Sequence, residues 1–351
     1  MQVVAGVNLK GIKPQVWSPD SPYHLVDLRA LMVSYAEFSS YPSRRKRAME
    51  RGLHSFLDVP KDVSIYLDNG AFSLLRKDGV VPRQEYEEFV QEARPDWYPI
   101  PQDYIPTPSM SDDSQLDCLR RTMEVNRAYS HNGFVPVIHI SRYLTIYLQQ
   151  LHTDESLVAK PRLAIGGIVP NLLRMPQAMA HTDVLNNIRQ TRVKMPNKKL
   201  HIFGIGGTAT LHLAALLGID SVDSSGWRNR AARGIIQLPG SGERVVANLG
   251  SWRGRELSQT ELVKLTSCPC PACQKHGTNG LKAEKLFGFS NRATHNLWVL
   301  LNEAKVIEEH LLDGSYADWY EEHLDNTAYL PLIRKALELY LQSIDSEQLP
   351  S

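Results

Sequence analysis

Short apolar runs alternate along the chain with longer stretches in which apolar residues recur at helical spacing. An apolar run of about four to eight residues predicts a buried strand, whereas recurrence every three to four residues predicts an amphipathic helix. The candidate strands are Val3–Asn8, Leu31–Tyr35, Val63–Leu67, Trp97–Pro101, Phe134–Ile140, Arg162–Gly166, Leu200–Gly204 and Ser221–Asp223. The candidate helices are Arg44–Phe56, Arg83–Ala93, Asp113–Tyr129, Arg142–Leu151, Pro176–Val193 and Thr208–Leu217. Eight strands with interleaved helices predict an α/β fold of the (β/α)8 TIM-barrel type rather than a doubly wound sheet.

The chain after the last candidate strand has a different character. Leu238–Gly254 is rich in Pro and Gly and is predicted to be a long exposed loop. From Glu284 onward the pattern is largely helical. We therefore predict a barrel catalytic domain over residues 1–259, a small zinc-binding subdomain over 260–298, and C-terminal helices over 299–351 that pack on the barrel.

Three of the four cysteines lie close together, as Cys268, Cys270 and Cys273. Thiolates at this spacing supply three ligands for Zn²⁺, and an imidazole from a following helix completes the tetrahedron. His295 is the preferred fourth ligand. His276 is the alternative, although it follows Cys273 so closely that the loop would be cramped. Because protein groups fill all four positions, the predicted Zn²⁺ is structural rather than catalytic.

Composition limits the classes of partner. The formal net charge is +1, so any nucleic-acid surface must be a local basic patch rather than a property of the whole chain. No apolar run approaches the length of a membrane span, and the first residues lack the pattern of a signal peptide. Because the cysteines form a metal-ligand pattern, we expect a reducing compartment and a cytoplasmic protein with no membrane segment.

Polar residues stand where the candidate strands end. They are Asp68-Asn69-Gly70, Gln102-Asp103, His139, Gly166-Gly167 and Asp223-Ser224-Ser225. A single aspartate in such a position is more often a helix cap or a turn former. In a (β/α)8 barrel, however, the catalytic groups gather at this end of the strands. Three aspartates on one face would crowd negative charge into a pocket, raise at least one pKa and make an acid/base and nucleophile pair possible.

The residues at these strand ends resemble the motifs of the tRNA-guanine transglycosylase superfamily, over most of the chain from about Asp68 to His295. The sequence Tyr66-Leu-Asp68-Asn-Gly-Ala-Phe72-Ser is similar to the family's L-D-S-G-G-[FY]-Q signature. Three further blocks and the cysteine pattern resemble the family in the same order: Ala164-Ile-Gly166-Gly167-Ile168, Phe203-Gly-Ile-Gly206, Gly218-Ile-Asp220-Ser-Val-Asp223 and C-x-C-x₂-C…H. Each barrel motif is weak alone, but the ordered set is specific.

The resemblance implies a pentosyltransferase that replaces a guanine in a polynucleotide with a 7-deazaguanine, such as 7-cyano-7-deazaguanine, without breaking the strand. It implies that Asp223 is the nucleophile that attacks C1′ and holds the strand as a glycosyl ester. Asp68 is implied to protonate the leaving base and then to deprotonate the incoming one. Asp103 is implied to accept from the ring N–H and the exocyclic amine of the guanine edge.

Six other positions are implied to surround the base. The two aromatic rings of Phe72 and Phe203 would stack on its faces, and the Gly166-Gly167 backbone with the N–H of Ile168 would approach its carbonyl. His139 stands roughly where the family carries a glutamine, so its role is open.

Departures from the family bear on the polymer. The family's Ser-Gly-Gly-Phe-Gln is Asn69-Gly-Ala71-Phe-Ser73 here, and the block after the nucleophile is also different. These features resemble the branch that modifies DNA, so DNA is the expected polymer and tRNA the alternative. A 7-deazaguanine base is the expected small substrate. A homodimer or partner modification proteins are left open. A non-catalytic, zinc-containing nucleic-acid-binding subunit is a rival, although both Asp223 and Asp68 are present.

A local basic segment follows the predicted nucleophile. Its members are Arg228, Arg230 and Arg233, then Arg244, Arg253 and Arg255 in the next loop, interleaved with Trp227 and Trp252. The simplest interpretation is a solvated surface with two buried indoles. The functional interpretation is a phosphate-binding patch with an aromatic ring that stacks on an extruded base.

Overall fold

The computed structural model describes residues 1–72, 82–172, 175–250, 254–324 and 328–347. Seven parallel strands form one curled sheet in the order β3-β2-β1-β7-β6-β5-β4. They are β1 (Gln2–Gly6), β2 (Ala30–Ser34), β3 (Ser64–Asp68), β4 (Val137–His139), β5 (Arg162–Gly166), β6 (Lys199–Ile202) and β7 (Ser221–Ser224). Most strand residues are buried, as expected for parallel strands that are covered on both faces, and the polar ones include His201 of β6 and Asp223 of β7.

The segment after the predicted fourth strand closes this sheet into a ring. Trp97 makes a parallel bridge to Tyr66 of β3, and Pro99 makes one to Val135, just before β4. The main-chain N–H of Leu67 donates to the Trp97 carbonyl at 2.8 Å, and that of Ile100 donates to the Val135 carbonyl at 3.0 Å. The predicted strand Trp97–Pro101, the fourth of eight in chain order, is therefore present as isolated bridges rather than as a continuous strand. The predicted α/β TIM-type fold is confirmed.

Helices cover the outside of the ring. They are α1 (Ala36–Ser39), α2 (Pro42–Arg51), α3 (Leu53–Leu57), α4 (Arg83–Ala93), α5 (Asp112–Ala128), α6 (Leu144–Thr153), α7 (Glu155–Val158), α8 (Ile168–Leu172), α9 (His181–Lys194), α10 (Thr208–Leu216) and α11 (Gly226–Ala232). The predicted helix Arg44–Phe56 is two helices, because Gly52 has a φ of 74° and ends α2. In the described part of the chain, no helix is long and apolar enough to cross a membrane.

An antiparallel hairpin follows the barrel, where the sequence predicted only an exposed loop. Its strands are β8 (Ile235–Leu238) and β9 (Gly242–Val245), with Ile235 opposite Val245. The loop prediction was wrong here because Pro239 and Gly240 form the turn of the hairpin, and the strands on either side are short. Ile236 and Leu238 of this hairpin pack in one small apolar core with the three clustered cysteines.

Five helices complete the chain. They are α12 (Gln259–Thr266), α13 (Pro271–Lys282), α14 (Lys285–Leu312), α15 (Tyr316–His323) and α16 (Leu330–Glu347). Helix α14 is continuous through residue 298, where the sequence predicted a boundary between the zinc-binding subdomain and the C-terminal helices. Its first half packs on the cysteine cluster and its second half packs on the barrel, so one helix joins both parts.

Candidate active site and metal centre

A cavity of about 550 Å³ opens at the carboxyl-terminal ends of the strands. Strand β3 ends at Asp68, and Asp223 is the residue before the last of β7. Asp103 follows the bridging segment at the fourth strand position. All three aspartates line the cavity, together with the predicted base-contacting residues Phe72, Gly166, Gly167 and Phe203. The structure thus brings together the carboxylates that the strand ends predicted.

Burial makes Asp68 a weaker acid than an exposed aspartate. Its Oδ2 accepts from the Ser34 hydroxyl at 2.8 Å and from the Gly70 main-chain N–H at 3.1 Å. The pKa of Asp68 is raised to about 6, because burial and the nearby Asp223 and Asp103 charges outweigh the hydrogen bonds from Ser34 and Gly70. A carboxyl group with this pKa can both donate and accept a proton near neutral pH. Sequence reasoning missed Ser34, which comes from the neighbouring strand β2 and carries no motif.

One of the two carboxylate oxygens of Asp223 accepts a hydrogen bond from the main chain. The main-chain N–H of Gly204 donates to its Oδ1 at 2.7 Å. Gly204 has a φ of +79°, and a Cβ there would lie 2.7 Å from Cγ2 of Val169, so only glycine presents this N–H. Asp220, the alternative nucleophile, lies at the opposite end of β7, where Arg192 and Lys199 pair with its carboxylate at 2.5 and 3.0 Å.

Asp103 is fixed by two side chains. Its Oδ1 accepts from the Asn69 amide at 2.8 Å, and its Oδ2 lies 2.8 Å from Nε2 of His139. His139 is fully buried, and its Nδ1 lies 3.1 Å from the Tyr147 hydroxyl. The structure therefore places His139 behind Asp103, as a residue that orients the carboxylate, and does not place it on the cavity wall. Asn69, which replaces the family's serine, is the partner that the motif could have indicated.

The glycine pair after β5 makes room beside these groups. A Cβ on Gly166 would lie 2.9 Å from Cδ2 of His139, and one on Gly167, where φ is +75°, would lie 2.8 Å from the Ile140 carbonyl oxygen. Phe72 is about half exposed at the rim, whereas Phe203 is partly buried. Ile168 is buried in the main core, so its side chain does not face the cavity.

The structure separates the predicted basic patch into buried and exposed members. The guanidinium of Arg228 is 9% exposed and donates to the carbonyls of Gly11 and Lys13. Trp227 is fully buried and donates from Nε1 to the Gly6 carbonyl at 3.1 Å. Arg244 is 2% exposed and pairs with Glu261. These three side chains are held by contacts within the fold, although Arg228 also lines the carboxylate cavity.

Three other arginines of that patch are at least partly exposed. Arg230 pairs with Glu243 at 2.5 Å and lines a second cavity of about 520 Å³ that shares Asp223 with the first. Arg233 and Arg255 are exposed. Trp252 and Arg253 lie outside the described residues.

The three cysteines and His295 form a buried cluster. The distances from the Sγ atoms of Cys268, Cys270 and Cys273 to Nδ1 of His295 are 3.5, 3.6 and 3.5 Å. A tetrahedral Zn²⁺ site with Zn–S of about 2.3 Å and Zn–N of about 2.0–2.1 Å has S···N edges of roughly 3.6 Å. The donor set and its spacing therefore fit zinc. The alternative ligand His276 is outside the cluster and packs its ring against Phe287.

Groups around the cluster link it to the active-site side of the barrel. Nε2 of His295 lies 2.9 Å from the Gln237 carbonyl in β8, so Nε2 carries the proton and Nδ1 is left as a metal ligand. The amide of Asn296 donates to the carbonyls of Trp227 and Ile235 at 3.1 Å. Arg292 is fully buried and donates to the Ala231 carbonyl at 2.8 Å. The first half of α14 thus fixes α11 and β8, which directly follow the strand of Asp223.

Similarity to known proteins agrees with this geometry. The chain is 25% identical over 317 residues to the tRNA-guanine(15) transglycosylase of Thermococcus kodakarensis, which covers 88% of this chain and 50% of that protein. It is 26% identical to the corresponding Pyrococcus furiosus protein over 77% of this chain and 43% of that protein, and 25% identical to that of Methanocaldococcus jannaschii over 89% and 46%. The chain thus spans about half the length of the curated relatives it matches.

The family model for queuine tRNA-ribosyltransferase matches residues 1–329, which include the barrel, the carboxylate cavity and the metal centre. The chain belongs to this tRNA-guanine transglycosylase family.

Proposed function

We propose that this protein exchanges a guanine base in tRNA for a 7-deazaguanine through a covalent bond between Asp223 and the ribose. The observation that carries the proposal is the set of three carboxylates, Asp68, Asp103 and Asp223, that line one cavity with three different environments. One has a raised pKa, one is held by a single main-chain N–H, and one is fixed by two side chains. Those environments match an acid/base group, a nucleophile and a group that recognises the base.

In the first step, the free oxygen of Asp223 attacks C1′ and the bond between C1′ and guanine breaks. The electron pair of that bond leaves with the base, and the proton of Asp68 transfers to it, so guanine departs neutral. Asp223 then holds the strand as a glycosyl ester. In the second step, Asp68 takes a proton from the incoming base, the base nitrogen attacks C1′, and the ester bond to Asp223 breaks. The raised pKa of Asp68 suits a group that must give and take a proton within one cycle.

Asp103 supplies selectivity for guanine-like bases. Each of its oxygens accepts one bond from Asn69 or His139, which leaves lone pairs for the ring N–H and the exocyclic amine of a guanine edge. Adenine lacks donors in this pattern and would leave those lone pairs of a buried carboxylate without partners. The cavity beside Gly166 and Gly167 admits the base close to the backbone.

We propose that the cluster of Cys268, Cys270, Cys273 and His295 binds one structural Zn²⁺. When bound, the metal joins α13 to α14 and so stabilises the hairpin and α11 beside the active site. Cys270→Ser should release the metal and unfold this region, because metal-binding energy is folding energy in such a site. Metal analysis of protein purified without chelators should give one zinc per chain, and finding none would contradict the proposal. Thiolate ligands also suit a reducing compartment such as the cytoplasm.

The choice of tRNA as the polymer rests on the relatives, which are named for tRNA. The DNA substrate predicted from the sequence has no support among them. The test incubates the protein with radiolabelled guanine and either tRNA or double- and single-stranded DNA from the same organism. We expect label to enter tRNA and a denaturant-stable adduct to form with tRNA. Incorporation into DNA alone would overturn the choice of tRNA while leaving the exchange chemistry intact. Incorporation into neither polymer would contradict the proposed function.

A further inference from the structure

A histidine inside the barrel lies directly beneath the nucleophile. His201 of β6 is 2% exposed, and its Nε2 is 3.7 Å from Oδ1 of Asp223. Its Nδ1 is 2.9 Å from the Ser221 hydroxyl. His201 is not among the positions that the family motifs indicated, and the exchange chemistry described above does not use it.

Strand geometry explains why these groups meet. His201 pairs in register with Ser221 on the adjacent parallel strand. Side chains two apart on a strand point to the same side, so Ser221 and Asp223 both face the barrel interior, as do His201 and Phe203. His201 and Ser221 therefore form one layer of the interior, and Phe203 and Asp223 form the layer above it, nearer the cavity.

Nε2 of His201 is buried without a hydrogen-bond partner within the described ranges. A buried polar nitrogen that has no partner in the resting state is costly unless a partner arrives during function. The groups around it are the rings of Tyr66, Trp97 and Phe203, at centroid distances of 5.7, 5.0 and 4.9 Å. Among the described residues, Asp223 is the carboxylate that lies within 4 Å of Nε2.

Charged groups from other elements share a second cavity with His201. His201 also lines a cavity of about 610 Å³ at the amino-terminal end of the barrel. The charged residues that share this cavity are Arg162, Lys199, Asp220 and Glu308. Asp220 is already paired with Arg192 and Lys199, and Glu308 with the amino group of Met1. The Tyr66 hydroxyl donates to Gln2 at 3.1 Å.

We propose that His201 is a positioning residue that donates from Nε2 to Oδ1 of Asp223 during the exchange and leaves Oδ2 to attack C1′. The Ser221 hydroxyl donates to Nδ1 and so places the imidazole proton on Nε2. The same donor stabilises the carboxylate when it leaves C1′ in the second step. This proposal rests on the proposed function of Asp223 and adds the group that orients it.

The test compares two polar replacements of similar size. His201→Gln can present an amide N–H where Nε2 was, whereas His201→Asn is too short to do so but can still bond Ser221. We expect His201→Gln to retain kcat within a fewfold. His201→Asn should lower kcat by about 10- to 100-fold with little change in KM for the polymer, as expected for loss of a donor to a reacting group. Equal behaviour of the two variants would overturn the proposal.

His54→Gln is the matched control, because His54 is also buried and bonds a carboxylate, Asp96, at 2.8 Å, but outside the cavity. It should leave kcat unchanged. A second measurement does not need the His201 variants to fold. In histidine-labelled protein with tRNA bound, the ¹⁵N signals of one imidazole should differ between wild type and Asp223→Asn. If no imidazole responds, the contact is not made and the proposal is wrong, whether or not the protein proves to exchange guanine.

Discussion

The two ends of the barrel each hold a cavity, but they treat their carboxylates in opposite ways. At the amino-terminal end, Asp220 is neutralised by Arg192 and Lys199, and its pKa is lowered: these two cations and the Leu200 N–H outweigh the effect of burial. At the carboxyl-terminal end, the donors to Asp68 within the described residues are a hydroxyl and a main-chain N–H, and burial raises its pKa to about 6.

Both ends are built from the same strand, since Asp220 directly precedes β7 and Asp223 lies within it. The difference in partners separates a structural carboxylate from reactive ones. An ion-paired aspartate contributes to stability and stays ionised, whereas aspartates without cations keep a proton or a nucleophilic oxygen available. Substitution of each aspartate by asparagine tests this contrast, because the shape is kept and only the charge is lost.

The largest expected effect is on the chemical step. Asp223→Asn should abolish the covalent adduct with tRNA and lower the exchange rate by more than about a thousandfold, because the amide is a poor nucleophile. Asp220→Asn should form the adduct at close to the wild-type rate. Denaturing gels of enzyme mixed with labelled tRNA measure both. An adduct in Asp223→Asn, or its loss in folded Asp220→Asn, would reverse the assignment of the two ends.

The second effect concerns the proton. Asp68→Asn should slow exchange by about 10²- to 10⁴-fold, since the leaving base then departs without a general acid. The adduct should remain detectable, because Asp223 is intact. Single-turnover kinetics with labelled guanine measure the rate. The contrast fails if Asp68→Asn exchanges guanine at the wild-type rate.

The third effect is on stability, and its sign differs between the two ends. The folded pKa of Asp68 is raised to about 6, so ionisation destabilises the folded state as the pH rises from about 4 through 6. Asp68→Asn should therefore be more stable than wild type at pH 7, by about 1–3 kcal/mol, with the gain vanishing below about pH 4. The folded pKa of Asp220 is lowered, so its contribution is present at pH 7 and is lost as the pH falls below about 4. Asp220→Asn should be less stable at pH 7 by about 1–2 kcal/mol.

Urea unfolding of the two variants and wild type, at pH values from about 2 to 7, measures these differences. For each variant, the free energy of unfolding minus that of wild type is plotted against pH. The two plots should coincide at acid pH and diverge in opposite directions as the pH rises. Parallel curves would show that the carboxylates do not differ in their environments.

The smallest effect concerns the polymer. Arg230→Ala should reduce the slope of log binding constant against log salt by about 0.7–0.9, if its guanidinium leaves Glu243 for a phosphate. Arg228→Ala should instead lower stability, because this buried guanidinium holds the carbonyls of Gly11 and Lys13. Glu243→Gln is the control, and it should strengthen binding by freeing Arg230. Filter-binding titrations over a salt series measure the slopes.

The sequence was sufficient to predict those features in which a residue type has one common structural role. The alternation of apolar runs predicted the barrel, and the spacing of Cys268, Cys270 and Cys273 predicted the cluster with His295. The aspartates at the strand ends predicted the cavity because all strands of a parallel barrel end on the same side.

The sequence was insufficient where a side chain has several physical uses. Arginine and tryptophan beside a predicted nucleophile fit a phosphate patch, yet Arg228 and Trp227 serve as buried donors to loop carbonyls. His139 was expected at the base and instead orients Asp103. His201 was not predicted at all, because its role depends on register between two strands rather than on any local motif.

Hydrogen bonds between neighbouring strands are sparse at the bridging segment between β3 and β4. Its neighbours are joined to it by a few isolated hydrogen bonds, such as Leu67 to Trp97 and Val135 to Tyr98, whereas β1 and β7 pair along four successive residues. Local opening follows the weakest pairing. Amide exchange with deuterium should therefore begin at this seam, next to Asp103, while the side that holds Asp223 remains protected. The barrel should then open most readily beside Asp103 and least readily beside Asp223.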